Sequence, residues 1–109
     1  MSQQNPMLNK ILNSLENIQA QDIKIIDVRK QTTITDYMII CSGRASRHAK
    51  AIAGKVMEEM KIAGLPTLSI TGMETAEWVL LDLGDFIIHV MVPECRQFYN
   101  LEGLWEEHS

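Results

Sequence analysis

A chain of 109 residues, 46% hydrophobic and 22% charged, suits one α/β domain spanning 1–109, since at this size folding buries roughly two-thirds of the unfolded surface. The formal charge of -4 counts against a direct DNA binder or a general nucleic-acid binder, which neutralises phosphate with clustered Lys and Arg, but leaves a basic protein as a partner. No stretch reaches the roughly 20 apolar residues of a membrane span, the first ten residues lack a signal-peptide core, and Cys41 and Cys95 form no C-x-x-C pair, so the expected location is the cytoplasm, with both thiols reduced.

Asn5-Pro6 predicts a helix start, with Asn capping and Pro in the first turn, where its missing N–H costs nothing. Leu8, Ile11, Leu12, Leu15 and Ile18 follow at helical spacing and end near Ala20-Gln21. DIKIIDV, residues 22–28, reads as a strand. Residues 29–35 are polar and connecting. DYMIIC, residues 36–41, is a second strand whose continuous apolar run implies burial on both faces. SGRAS, residues 42–46, breaks it and opens a helix with Ser46 as the expected N-cap and Ala49, Ile52, Ala53, Val56, Met57 and Met60 as the buried stripe. Gly64-Leu65-Pro66 stops that helix. Residues 67–71 read as a short strand and 72–76 as a loop. After Pro93 the pattern predicts a helical turn at 96–99 and a short C-terminal helix carrying Leu101, Leu104 and Trp105.

Residues 77–92, EWVLLDLGDFIIHVMV, read as a hairpin. Glycine at the first central position of Leu83-Gly84-Asp85-Phe86 suits a tight primed turn. Drawing the turn there sets Leu83 against Phe86, Leu81 against Ile88 and Val79 against Val90, a wholly apolar face that belongs in a core. The reverse face pairs Asp82 with Ile87, Leu80 with His89 and Trp78 with Met91. That mixture fits an interface core, with acids to meet Arg or Lys, and equally fits plain core beneath a second helical layer such as the N-terminal helix. The whole order predicts a mixed sheet of five strands with helices on the apolar face of the hairpin, and a right-handed crossover from residue 36 to 71 with its two strands parallel.

Chemistry finds little footing. A strand followed by SGRAS and a helix offers free amides to an anion, but with one glycine and no G-x-x-x-x-G-K-[ST] the signal is weak, and a capped strand-to-helix turn is the favoured reading. A nucleotidyl transferase would carry paired carboxylates on the next strand to hold metals, and TLSIT has none. Asp82, Asp85 and His89 lack a recognisable fourth metal ligand. The expectation is no catalytic residue, no cofactor and no metal.

Four blocks, TDYMIICSG at 35–43, Ser46 with Ala51-Ile52-Ala53, AEWVLLDLGDFIIHV at 76–90 and RQFYNLEGLW at 96–105, resemble the ribosomal silencing factor family, also called Iojap-related, from about Leu8 to Trp105. The resemblance implies a fold similar to nucleotidyl transferases without their catalytic acids. It further implies a translational repressor, not an enzyme, that binds ribosomal protein fourteen of the large ribosomal subunit and sterically blocks joining of the small subunit when nutrients are short. The chain departs from the family pattern at Leu83, where Tyr is frequent, at Met91, where Phe is common, and at Thr71, where Glu often precedes Gly72. Its signature residues here are Asp36, Trp78, Asp82, Gly84, Asp85, His89, Arg96, Tyr99 and Trp105. Combined with the hairpin, they suggest a partner-binding set of Trp78, Leu80 and Met91 as apolar anchors, Asp82 and His89 as polar contacts, and Arg96 with Tyr99 as flank or support. Gly84, Asp85 and Trp105 read as structural. The other readings are a large-subunit assembly adaptor using the same face and a degenerate nucleotidyl transferase using the SGRAS turn. An apolar face awaiting a partner also suggests a weak homodimer.

Overall fold

In the computed structural model, which describes residues 5–101 and 103, helix α1 (Pro6–Asn17) starts where the sequence places it. The Asn5 side chain accepts the Leu8 N–H at 3.2 Å and Pro6 fills the first turn. Asn5→Ala leaves that N–H uncapped and is expected to cost about 1 kcal/mol, read as a lower urea midpoint at unchanged m-value. The helix ends three residues before Ala20, because Ile18 turns out of helical geometry and Gln19 takes a φ of 63°.

Strands β1 (Gln21–Asp27) and β2 (Tyr37–Ser42) pair antiparallel, with a register irregularity between Gln21 and Lys24. Helix α2 (Ser46–Ile62) follows. Ser46 is its first residue and not its cap: Ala45 holds the cap position without a side-chain bond. Histidine replaces serine as the local tie, since His48 Nδ1 accepts the Arg44 N–H at 2.9 Å and Nε2 lies 2.9 Å from the Ile18 carbonyl. The ring therefore links the start of α2 to the end of α1. At the other end, Gly64 takes a φ of 95°, the Leu65 N–H donates to the Met60 carbonyl, and the Gly64 N–H donates to that of Lys61. That pair of bonds is the Schellman finish that glycine permits.

Strands β3 (Ser69–Thr71), β4 (Trp78–Asp82) and β5 (Phe86–Met91) complete one sheet in the order β1-β2-β5-β4-β3. The hairpin register is the one the alternation requires: Val79 faces Val90, Leu81 faces Ile88, Asp82 faces Ile87, Leu80 faces His89, and Trp78 faces Met91. The Leu83 N–H closes the turn on the Phe86 carbonyl at 2.9 Å, and Gly84 has a φ of 90°. β5 pairs parallel with β2 and antiparallel with β4, and β4 is antiparallel to β3. The passage through α2 thus joins two strands that point the same way, as expected, but β5 and β4 lie between them. The sheet is mixed and the class is α/β.

One face of the sheet carries the main core. Leu8, Ile11 and Leu15 of α1 and Ala49, Ile52, Ala53, Val56 and Met60 of α2 pack with Ile39, Cys41, Val79, Leu81, Ile88 and Val90. Each fully buried Leu or Ile contributes roughly 1.5–3 kcal/mol, so this face dominates stability. Ser14 of α1, itself buried, donates to the Glu59 carboxylate of α2, which also meets Lys55 at 3.5 Å. The N-terminal helix is therefore on this face and does not cover the reverse of the hairpin. That reverse face has a smaller core of its own, Ile26, Val28, Met38, Ile40 and Met91, with Trp78, Cys95 and Leu101 packed against it. Cys95 belongs to α3 (Pro93–Tyr99), which begins three residues earlier than the expected turn because Pro93 takes its first position. Leu101 and Gly103 have helical backbone, whereas Leu104 and Trp105 lie outside the described residues. No helix among the described residues is long and apolar enough to cross a membrane.

Candidate functional site

The reverse face of the hairpin divides into a covered part and an open part. On β5, Met91 is fully buried and His89 is 5% exposed. Neither presents a surface, which corrects the expectation that Met91 is an exposed anchor and His89 an exposed contact. The cause is position. β5 is the middle strand, flanked by β2 and β4, and its reverse side lies against Met38, Ile40 and Trp78 in the second core.

On β4 the same face stays open. Trp78, Leu80 and Asp82 are half-buried, and beyond them Ser69 and Thr71 of the edge strand β3 are exposed. The Trp78 indole N–H donates to His89 Nδ1 at 2.9 Å, so its polar atom is committed inward while part of the ring faces out. His89 must keep Nδ1 unprotonated to accept that bond, and burial holds its pKa down at about 4. Its function is to hold Trp78. Asp82 is drawn into the turn, where Oδ1 accepts the Gly84 N–H at 2.9 Å. Asp85 works through its backbone, whose carbonyl accepts the N–H groups of Asp36 and Tyr37.

Helix α3 extends this open face with two rings. Tyr99 sits 4.9 Å from Trp78, centroid to centroid, and Phe98 meets Tyr99 edge-on at 5.0 Å. Tyr99 is 53% and Phe98 81% exposed, an unusual expense of aromatic surface in water. Arg96 fastens the helix, with Nη1 donating to the buried Ser42 Oγ at 2.9 Å at the end of β2. The structure therefore brings together Trp78, Leu80, Asp82 and Tyr99, and sets Arg96 behind them as a support. Sequence reasoning did not single out Phe98. The signal was its place beside Tyr99 in a seven-residue helix too short to bury both rings.

Elsewhere the chemistry is quiet. The SGRAS turn offers little to a phosphate, because the Gly43 N–H donates to the Met91 carbonyl and the Arg44 N–H to His48. Gly43 itself is pressed against α2: a Cβ there would lie 2.7 Å from the Ala49 nitrogen. The Cys41 thiol, buried, is pushed up to about 12, and burial together with Glu77 raises that of Cys95, so neither is an activated nucleophile at neutral pH. Away from this face, Arg29 clamps Asp27 at 2.6 Å and holds that carboxylate down at about 2.

Comparison with known proteins gives a consistent picture. The family described as "Ribosomal silencing factor during starvation" matches residues 1–109. The chain is 44% identical over 99 residues to "Ribosomal silencing factor RsfS" of Zymomonas mobilis, covering 91% of this chain and 74% of that one. It is 41% identical over 95 residues to the protein of the same name from Haemophilus influenzae, covering 87% and 93%. A crystal structure of a Chromobacterium violaceum protein superposes with a TM-score of 0.90 at 37% identity, over 93% of this chain and 84% of that one.

Proposed function

The chain belongs to the ribosomal silencing factor family, and from that premise we propose that it docks on ribosomal protein fourteen of the large ribosomal subunit, in the cytoplasm, through the face built by β4 and α3. Bound there it represses translation by occupancy: the small subunit cannot take the same surface, and no turnover is involved. The observation that supports this most is the run of rings Trp78, Tyr99 and Phe98, each touching the next and increasingly exposed outward, beside the half-buried Leu80. Exposed aromatics flanking a half-buried apolar strand are what a protein interface core looks like before its partner arrives. The proposed contacts are Trp78, Leu80 and Tyr99, with Asp82 at the rim and Arg96, His89 and Met91 as the structure behind them. The net charge of -4 favours encounter with a basic ribosomal protein.

Tyr99 gives a cleaner test than Trp78, because Trp78 also packs on the second core and its removal would loosen the fold. Tyr99→Ala is expected to weaken binding to isolated large subunits by about 2 kcal/mol, roughly thirtyfold, with little change in Tm. Co-sedimentation with purified subunits reads it, and wild-type retention by the variant removes this face from the interface. A subunit-joining assay then decides the mode of action. A silencing factor slows joining in proportion to occupancy, whereas an assembly adaptor on the same face leaves the joining rate unchanged.

A further inference from the structure

The outer end of the aromatic run is not a plain apolar patch. Phe98 and Tyr99, with Val92 and Cys95, line a groove of about 380 Å³ whose remaining walls are Glu77 and Glu94. Glu77 precedes β4 and Glu94 lies in the first turn of α3, and the two are brought together because the Val92 N–H donates to the Glu77 carbonyl at 2.9 Å. Both carboxylates are exposed, and neither has a cationic partner among the described residues. The groove therefore combines the faces and edges of two rings with two acids that nothing in the described fold neutralises.

From this we infer that the groove receives one arginine side chain of the protein partner, its guanidinium stacked on the face of Phe98, the more exposed of two rings that stand at 87° to each other, with the edge of Tyr99 beside it and its N–H groups shared between Glu77 and Glu94. The inference rests on the reading of this face as a protein-docking surface and names what the outer end of it recognises. The charge selects the occupant. A nucleic-acid phosphate is repelled by the paired acids, and a purely apolar side chain would leave both carboxylates desolvated without a partner, at a cost. A guanidinium is planar, stacks on aromatic faces, is weakly hydrated and carries five donors in a fork, so it satisfies rings and acids at once. A lysine ammonium satisfies the acids but stacks poorly and holds its water.

Two measurements test this. In the first, the affinity of the full chain for large subunits is measured over a range of salt for wild type, for the double variant Glu77→Gln with Glu94→Gln, and for a control double variant, Glu16→Gln with Glu58→Gln, which removes the same charge from exposed helical sites. The groove variant is expected to bind at least tenfold more weakly and with a flatter salt dependence, the control like wild type. Equal behaviour of the two double variants overturns the inference and leaves the docking reading standing. In the second, the free protein is titrated with acetyl-arginine methylamide and, separately, with its uncharged isostere acetyl-citrulline methylamide, while the ring signals of Phe98 and Tyr99 are followed by NMR. Shifts with arginine alone, lost in the groove variant, support the assignment; equal shifts with citrulline, with the corresponding lysine compound, or in the groove variant overturn it. Arginine-specific shifts in a protein that does not bind large subunits would instead remove the ribosomal reading and keep the groove.

Discussion

Gly72→Ala is expected to destabilise the protein by about 3 kcal/mol or more, against about 1 kcal/mol for Gly64→Ala. Both glycines have a positive φ, 89° and 95°, so both substitutions carry the left-handed strain of an L side chain. They differ in what the new methyl meets. At Gly64 nothing lies within 4 Å, whereas at Gly72 a Cβ would stand 2.1 Å from the Trp78 carbonyl oxygen. That oxygen is backbone, in the first residue of β4, and cannot rotate away. Relief requires the loop between β3 and β4 to move off the strand, which disturbs the pairing of Thr71 with Leu80 and the seat of Trp78. Urea unfolding of the two variants side by side separates strain from clash. Equal losses would show that the loop yields freely and that the close approach of Gly72 to the Trp78 carbonyl is not a constraint.

Acidification should remove roughly 3 kcal/mol of stability between about pH 6.5 and pH 4 through His89 alone. Burial lowers the folded-state pKa to about 4 from the ordinary 6.5, so within that window the unfolded chain binds a proton that the folded chain refuses. Stability is then complete above the unfolded value, falls as the pH drops through the window, and stops falling below pH 4, where the folded protein protonates too. Geometry and electrostatics agree here. A proton on Nδ1 would face the Trp78 N–H, donor against donor, across 2.9 Å. His89→Gln, which cannot titrate, is expected to flatten the curve over this range even if it lowers stability overall. Asp27 titrates lower, near pH 2, and its exposed pair with Arg29 is screened by salt, so its contribution lies outside the window. A stability curve level from pH 6.5 to 4 in the wild type would mean that His89 is solvated and Trp78 unanchored.

The hairpin was legible because period-two alternation and one turn glycine constrain the same register, and a slip of β4 by one residue would have put Val79 and Leu81 on its open face. The stripes of α1 and α2 were legible for the same kind of reason. Burial of the second face was not, because it depends on which strand lies in the middle of the sheet, a property of topology and not of local pattern. A clue existed: FIIHVM is nearly as apolar throughout as YMIICS, and the rule that assigned both faces of β2 to the interior applies equally to β5. It would have moved His89 and Met91 inward. Ser46 looked like a cap by residue type, yet the turn closes through His48, whose bond to a carbonyl thirty residues back no local motif reveals. Phe98 stayed hidden because a single exposed ring becomes informative only once Tyr99 and Trp78 are seen beside it.

The strand order has a consequence for how the molecule comes into being. Among the described residues β5 is the last strand in the chain, and it is the one that joins β2 to β4. While the chain is being made, β1 and β2 can pair as a hairpin, but β3 and β4 have no sheet to enter until residues 86–91 emerge. Closure of the sheet therefore waits for β5 and runs through contacts distant in sequence, the slow kind. The face built by β4 and α3 follows later still. Until residues 86–91 are present, Trp78 lacks both His89, which accepts its indole N–H, and Met91, its partner across the hairpin.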